Sequence, residues 1–152
     1  MSVDIRAATI ADEPAVLDLL EALFEPPGAR PPGYTRAHAA TAFRYAVDAG
    51  DTDLLLALDG DALVGMASVY VLFPSMRFGR RVWLEDLVVR PARRGQRVGK
   101  QLLDAATAWG QAHGCAFLEL TSGAARADAH RFYRANGMVE SSVFDRPIPP
   151  RH

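Results

Sequence analysis

With 152 residues, 49% of them hydrophobic and 23% charged, the chain has the size and composition of one globular domain with a substantial core. A net charge of −1 gives no bulk attraction to nucleic acid or to an anionic membrane surface, so neither is expected as a partner. No apolar run approaches the roughly 20 residues of a membrane helix, and the N-terminal segment lacks the basic-then-apolar order of a signal peptide, so a cytoplasmic location is expected.

Residues 2–8 alternate weakly and read as a first strand. Thr9 caps the helix that follows, with Asp12 and Glu13 in its first turn, Pro14 at a tolerated position, and an apolar stripe of Val16, Leu20, Leu23 and Phe24. Residues 25–28 end it, and the Pro- and Gly-rich stretch up to Tyr34 reads as an irregular loop. Thr35 caps a second helix over 36–49, burying Ala39, Phe43 and Ala46 or Val47, with Gly50 as its stop. The hydrophobic period then changes to two. Residues 54–58 and 62–72 read as a hairpin about Asp59-Gly60-Asp61, and a loop over 73–80 leads to a strand over 81–89.

Pro91 stops that strand, and residues 93–99 form a basic, glycine-bearing turn. From Val98 the apolar residues fall at helical spacing up to His113, where Gly114 stops the helix. Residues 115–121 are an apolar run suited to a strand buried on both faces, and Cys115 within it reads as a small buried residue rather than an acyl carrier. With one cysteine no internal disulfide is possible. Residues 122–125 link to a helix over 126–135 that ends at Asn136-Gly137. Residues 138–144 offer a last strand, and 147–152 form a proline-rich tail. The sum is a single α/β domain over 1–146. The strands before and after the basic turn's helix are expected to be parallel, joined by a right-handed crossover.

A strand feeding a Gly-containing turn feeding a helix aims several backbone N–H groups and the positive end of a helix dipole at one point. Arg93, Arg94, Arg97 and Lys100 surround that point, which makes it a candidate phosphate site. Arg94-Gly95-Gln96-Arg97-Val98-Gly99 resembles the pyrophosphate motif of the GNAT superfamily of N-acetyltransferases, with Arg97 where Gly is expected. The resemblance extends through Leu84-Glu85-Asp86-Leu87-Val88-Val89-Arg90-Pro91 upstream, and through Ala129-His130-Arg131-Phe132-Tyr133 and Asn136-Gly137-Met138 downstream. It implies the GNAT fold, a mixed sheet of about six to seven strands flanked by about four helices. It also implies acetyl-CoA as cosubstrate, lying in a gap where the two parallel strands splay apart. Backbone groups of Leu87, Val88 and Val89 would meet the pantetheine arm, and Arg94, Gly95, Gln96, Arg97, Val98, Gly99 and Lys100 the pyrophosphate.

Acetyl transfer from a thioester to an amine needs a held donor, a base for the ammonium and an acid for the thiolate. The resemblance makes Glu85 the candidate base, direct or through water, or a binder of a cationic acceptor; the alternative is a strand-end carboxylate paired with Arg81. Asp86 is a second candidate, and strict alternation along the strand sends the two carboxylates to opposite faces. Tyr133 matches the family's helix-borne acid, with Phe132 as the core residue beside it and Arg126 where the family has Asn. His38, in the second helix, is a candidate to border the acceptor pocket; His113 ends a helix, where a cation is favourable; and His130, three positions from Tyr133 on its helix, reads as a surface or cap residue. No His, Cys and carboxylate cluster has metal-ligand spacing, so no metal is expected.

The resemblance implies an acceptor pocket shaped by the first two helices, their loop over 24–34 and the loop over 73–80, with Phe24, Tyr34, Tyr45, Phe73, Met76 and Phe78 as a partly apolar aromatic lining. Arg77, Arg80 and Arg81 nearby argue against a polyamine and allow an acceptor carrying a carboxylate or phosphate. A small-molecule primary amine is the expected acceptor, a protein amine the other possibility, reached by direct transfer in a ternary complex. Two rivals remain: a non-catalytic acyl-CoA-binding sensor or interaction module of the same fold, and transfer of a longer acyl chain. A homodimer is a family expectation.

Overall fold

The computed structural model describes residues 3–26, 28–122 and 126–151; Ser2, Pro27, residues 123–125 and His152, read above as strand, helix end, linker and tail, lie outside them. By internal packing the chain divides into two compact units, Met1–Leu120 and Thr121–His152.

The first unit carries one sheet in the order β1-β2-β3-β4-β5, where β1 is Asp4–Ala7, β2 Thr52–Asp59, β3 Ala62–Val71, β4 Arg81–Val89 and β5 Phe117–Glu119. Neighbours are antiparallel except β4 and β5, which are parallel. Three helices belong to it: α1 Glu13–Ala22, α2 Arg36–Asp48 and α3 Val98–Ala112. The second unit carries α4, Ala127–Ala135. Among the described residues no helix is long and apolar enough to cross a membrane.

β2 and β3 are the core of the sheet because both of their faces are apolar. Leu54, Leu56 and Met66 pack with Val88 beneath Val16 and Leu19 of α1 and Phe43 of α2. Fully burying side chains of this size stabilises the fold by about 1.5–3 kcal/mol each. On the other face Gly65 lies under α3. A Cβ there would stand 2.8 Å from Val88 O, 3.0 Å from Leu102 Cδ1 and 3.2 Å from Val98 Cγ1. Only glycine lets the first turns of α3 sit this close to the sheet, and this contact fixes where the helix begins.

The edge of the first unit is held electrostatically. Asp12 accepts both Arg6 guanidinium bonds, at 2.8 and 2.9 Å, and the Thr9 N–H at 2.7 Å. The Arg6 contact, reinforced by Thr9, lowers the Asp12 pKa to about 2. A carboxyl with a lowered folded-state pKa contributes stability above its ordinary value near 4 and loses it as pH falls towards 2. Because the Arg6 side chain is 46% exposed, screening discounts the contribution. Asp12→Asn is therefore expected to cost about 1 kcal/mol at pH 7 by urea denaturation, with the gap from wild type closing between pH 4 and pH 2.

Three expectations are corrected. The sheet has five strands among the described residues, not six or seven. Residues 138–144 form no strand; among the described residues no strand pairs with them, and Val139, Val143 and Phe144 are exposed. β5 is short and pairs on one side only, so Phe117 is 52% exposed and Cys115 half-buried, where burial on both faces was expected.

Candidate functional site

After β4 the chain makes a 3₁₀ turn at Pro91–Arg93, and then Gly95 and Arg97 both take left-handed backbone, at φ 79° and 65°. α3 starts at the next residue. Its first i→i−4 bond runs from Gln101 N–H to Arg97 O at 3.1 Å, and no side chain caps the helix. The N–H groups of Val98, Gly99 and Lys100 therefore have no acceptor within the helix, and they stand at its positive end. Left-handed backbone is the reason glycine suits position 97. Arginine adopts it at a cost of roughly 1–2 kcal/mol, and keeps its own N–H.

The four cations of the turn do not act alike. Arg93 is tied to Asp59 (3.0 Å) and to Gln96 Oε1 (2.8 Å), which fastens the turn to the β2–β3 hairpin. Lys100 reaches along its helix to Asp104 at 2.8 Å. Among the described residues only Arg94 and Arg97 of this set have no ion-pair partner, and both are exposed.

β4 and β5 pair over three residues only, ending at Trp83 and Glu119. Arg81 bonds Glu119 at 3.0 Å and fastens the closed end of this fork. An ion pair of Arg81 with Glu85 thus does not form. Beyond Trp83, β4 continues to Val89 without β5. Arg90 N–H bonds Val64 O on β3 (2.9 Å); since N–H directions alternate along a strand, those of Leu87 and Val89 point to the open edge. The pairing thus ends where the resemblance implies a gap between these strands.

Glu85 and Asp86 do not face opposite ways. Val69 pairs with Leu84 and Ser68 with Asp86, so Glu85 is an extra residue in a β-bulge. The bulge absorbs one step of the alternation and brings both carboxylates to the face that bears Ser68 and Tyr70. Trp83, on that face too, donates its Nε1–H to Glu85 Oε2 at 2.5 Å. Ser68 Oγ donates to Asp86 Oδ2 and accepts from Asp86 N–H, both at 3.0 Å. Burial raises the Asp86 pKa, Ser68 offsets part of this, and the Glu85 charge adds to it. Burial, then the Glu85 charge, raises the Tyr70 phenol as well.

A carboxyl raised by burial contributes most to stability below its unfolded pKa near 4 and loses that contribution as pH rises through its folded value. Asp86→Asn removes the buried charge while its side-chain oxygen still accepts from Ser68. This variant is expected to be more stable than wild type by about 1 kcal/mol at pH 7, with the gain vanishing below pH 4 in parallel urea titrations.

These carboxylates border a cleft of about 500 Å³ between α1, α2 and strands β2, β3 and β4. Its wall includes Leu17 and Leu20 of α1, Phe43 and Tyr45 of α2, and Met66 and Tyr70 of β3. Of the six residues expected to line an acceptor pocket only Tyr45 does so. Phe24 and Tyr34 stack edge-on with each other at 4.7 Å, and Phe73 and Met76 are exposed. The three arginines expected nearby are also engaged elsewhere: Arg77 over the Phe78 ring, Arg80 on His113 O, Arg81 on Glu119. Tyr70 and Ser68 were missed, although two polar groups alternating with Met66 in an apolar strand were the available signal. A smaller cavity of about 190 Å³, beside Arg6 and Asp61, lies at the other end of β2.

Tyr133 belongs to the second unit. It sits in α4, half-buried, with its ring edge-on to Phe132 at 5.4 Å. Phe132, like Tyr133, is only half-buried, so it is not the fully buried core residue expected. Burial raises the phenol's pKa and the Arg126 charge opposes this. Among the described residues no group of three or more His, Cys, Asp or Glu could hold a metal ion.

The sequence profile of the Acetyltransferase (GNAT) family matches residues 14–138. The chain belongs to this family. Within GNAT proteins it is similar to an uncharacterized N-acetyltransferase, YhdJ, of Bacillus subtilis, at 40% identity over 76 residues, 49% of this chain and 54% of that protein. It is also similar to the aminoalkylphosphonate N-acetyltransferase of Salmonella typhimurium, at 37% identity over 86 residues, 57% of this chain and 56% of that protein. The chain spans about half the length of these relatives in the matched region. In fold it resembles the aminoglycoside N-acetyltransferase AAC(6')-Iy, solved with CoA. The TM-score is 0.81, with 21% identity, 95% of this chain and 94% of that one covered.

Proposed function

We propose that the protein is an acetyl-CoA-dependent N-acetyltransferase that moves the acetyl group directly to a primary amine of a small molecule within a ternary complex. One observation carries this reading. A single strand, β4, presents N–H groups on an open edge, leads into an uncapped helix N-terminus, and brings two carboxylates into a cleft. The N–H groups of residues 94–100 would hold the pyrophosphate, with Arg94 and Arg97 adding charge. Those of Leu87 and Val89, with Val88 between them, would hold the pantetheine arm.

In the cleft Glu85 binds the ammonium and takes its proton, directly or through one water, with Asp86 beside it. The amine nitrogen then forms the new C–N bond as the C–S bond breaks. Tyr133, which carries its proton at neutral pH, gives it to the departing sulfur. Holding both reactants supplies much of the rate.

The test is release of CoA thiol across a panel of amines by wild type and Tyr133→Phe. We expect turnover by wild type and a kcat about 10²-fold lower in the variant, with acetyl-CoA affinity unchanged. Equal rates would remove Tyr133 from the chemistry. Binding of acetyl-CoA without thiol release on any amine would favour the non-catalytic acyl-CoA module, the reading suggested by Arg97 and Arg126 in place of the family's residues.

A further inference from the structure

The cleft beside Glu85 is chemically narrower than the phrase primary amine. Four acidic residues, Asp51, Asp53, Glu85 and Asp86, border it, and among the described residues no Lys, Arg or His does. Asp53 turns its carboxylate to the opposite face of the sheet, where Trp109 Nε1 of α3 donates to it at 3.1 Å, and Asp86 is engaged by Ser68, while Asp51 and Glu85 are exposed and have acceptor capacity left for a cation. Most of the remaining wall is hydrocarbon. α1 contributes Leu17 and Leu20, α2 contributes Phe43 and the small residues Ala39, Ala42 and Ala46, and the rings of Tyr45 and Tyr70 complete it.

Such a wall sorts ligands by two physical terms. A carboxylate or phosphonate next to the amine would be desolvated among like charges without a cation to receive it. A polyhydroxylated body would bring hydroxyl groups against alkyl surface that offers them few partners. An apolar body gains from burial there, and its ammonium gains from the carboxylates and from the faces of the tyrosines.

Resting on the acetyltransferase reading above, we propose that the acceptor is a primary amine with an apolar, aromatic or branched-alkyl body and no anionic group. Its ammonium lies at Glu85 and Asp86, and its body against Leu17, Leu20 and Phe43. This class differs from those named for the similar proteins, an aminoalkylphosphonate and aminoglycosides.

Calorimetric titration of the wild-type protein, with and without CoA, compares phenethylamine, 4-methylpentylamine, 2-aminoethylphosphonate and kanamycin. The two apolar amines are expected to bind at least ten-fold more tightly than the other two. Equal or tighter binding of 2-aminoethylphosphonate or kanamycin overturns the assignment, and so does failure of both apolar amines to bind. Thiol release on the same panel separates this outcome from failure of the enzymatic reading. Turnover of kanamycin alone keeps the enzyme and removes the apolar acceptor. Tight binding of phenethylamine with no thiol release on any amine keeps the cleft chemistry and removes the enzyme.

Discussion

Glu85→Gln is expected to lower kcat/KM for amine acetylation about 10²-fold at neutral pH while leaving the affinity for acetyl-CoA unchanged. The amide is nearly isosteric, and its oxygen still accepts from Trp83 Nε1, so the geometry of the bulge is retained. On the proposed mechanism, what is lost is the negative charge that holds the ammonium and the basic oxygen that takes its proton. Steady-state kinetics with the best amine of a panel, beside calorimetry with acetyl-CoA, measures both halves. A rate within two-fold of wild type would transfer the role to Asp86, which occupies the same face and whose raised pKa brings it closer to neutrality.

The second large effect belongs to the turn. Gly95→Val is expected to raise the Kd for acetyl-CoA by at least ten-fold, with thermal stability falling by a few degrees. A Cβ at Gly95 meets nothing within 4 Å, so the substitution causes no steric clash with the fold. The penalty is conformational: φ of 79° costs a β-branched residue roughly 1–2 kcal/mol or more, and the backbone relieves it by turning its N–H groups away. Calorimetry on the variant reads the loss. An unchanged Kd would mean that the cradle does not depend on left-handed backbone at this position.

Local signals in the sequence were reliable where one segment decides its own structure. β4 runs over the residues that alternation and Pro91 delimit, and α3 begins at Val98 and stops before Gly114, which takes φ of 73°. The turn was legible for the same reason, because glycine, proline and helical spacing act over a few residues. What was not legible depends on partners far along the chain. The bulge at Glu85 exists only because Ser68 and Val69 pair as they do, and it reverses the expectation that the two carboxylates diverge. Arg93, read as one of four cations around the turn, is paired with Asp59, 34 residues earlier, a contact no local signal announces. Residues 138–144 carry strand-favouring residues in Val139, Val143 and Phe144, yet such a segment becomes a strand only where a neighbour supplies hydrogen bonds. The first two helices do line the cleft, as the resemblance implies, but the aromatics of 73–80 do not, and the rest of its wall comes from the middle of the sheet.

The central claim is that the turn between β4 and α3 holds the pyrophosphate of acetyl-CoA despite Arg97. Calorimetric titration of the intact protein with acetyl-CoA, repeated on Arg94→Glu and at raised salt, tests it most directly. The expected result is one site per chain, weakened at least ten-fold by the charge reversal and also weakened by salt. Absence of binding, or binding indifferent to Arg94 and to salt, would contradict the account.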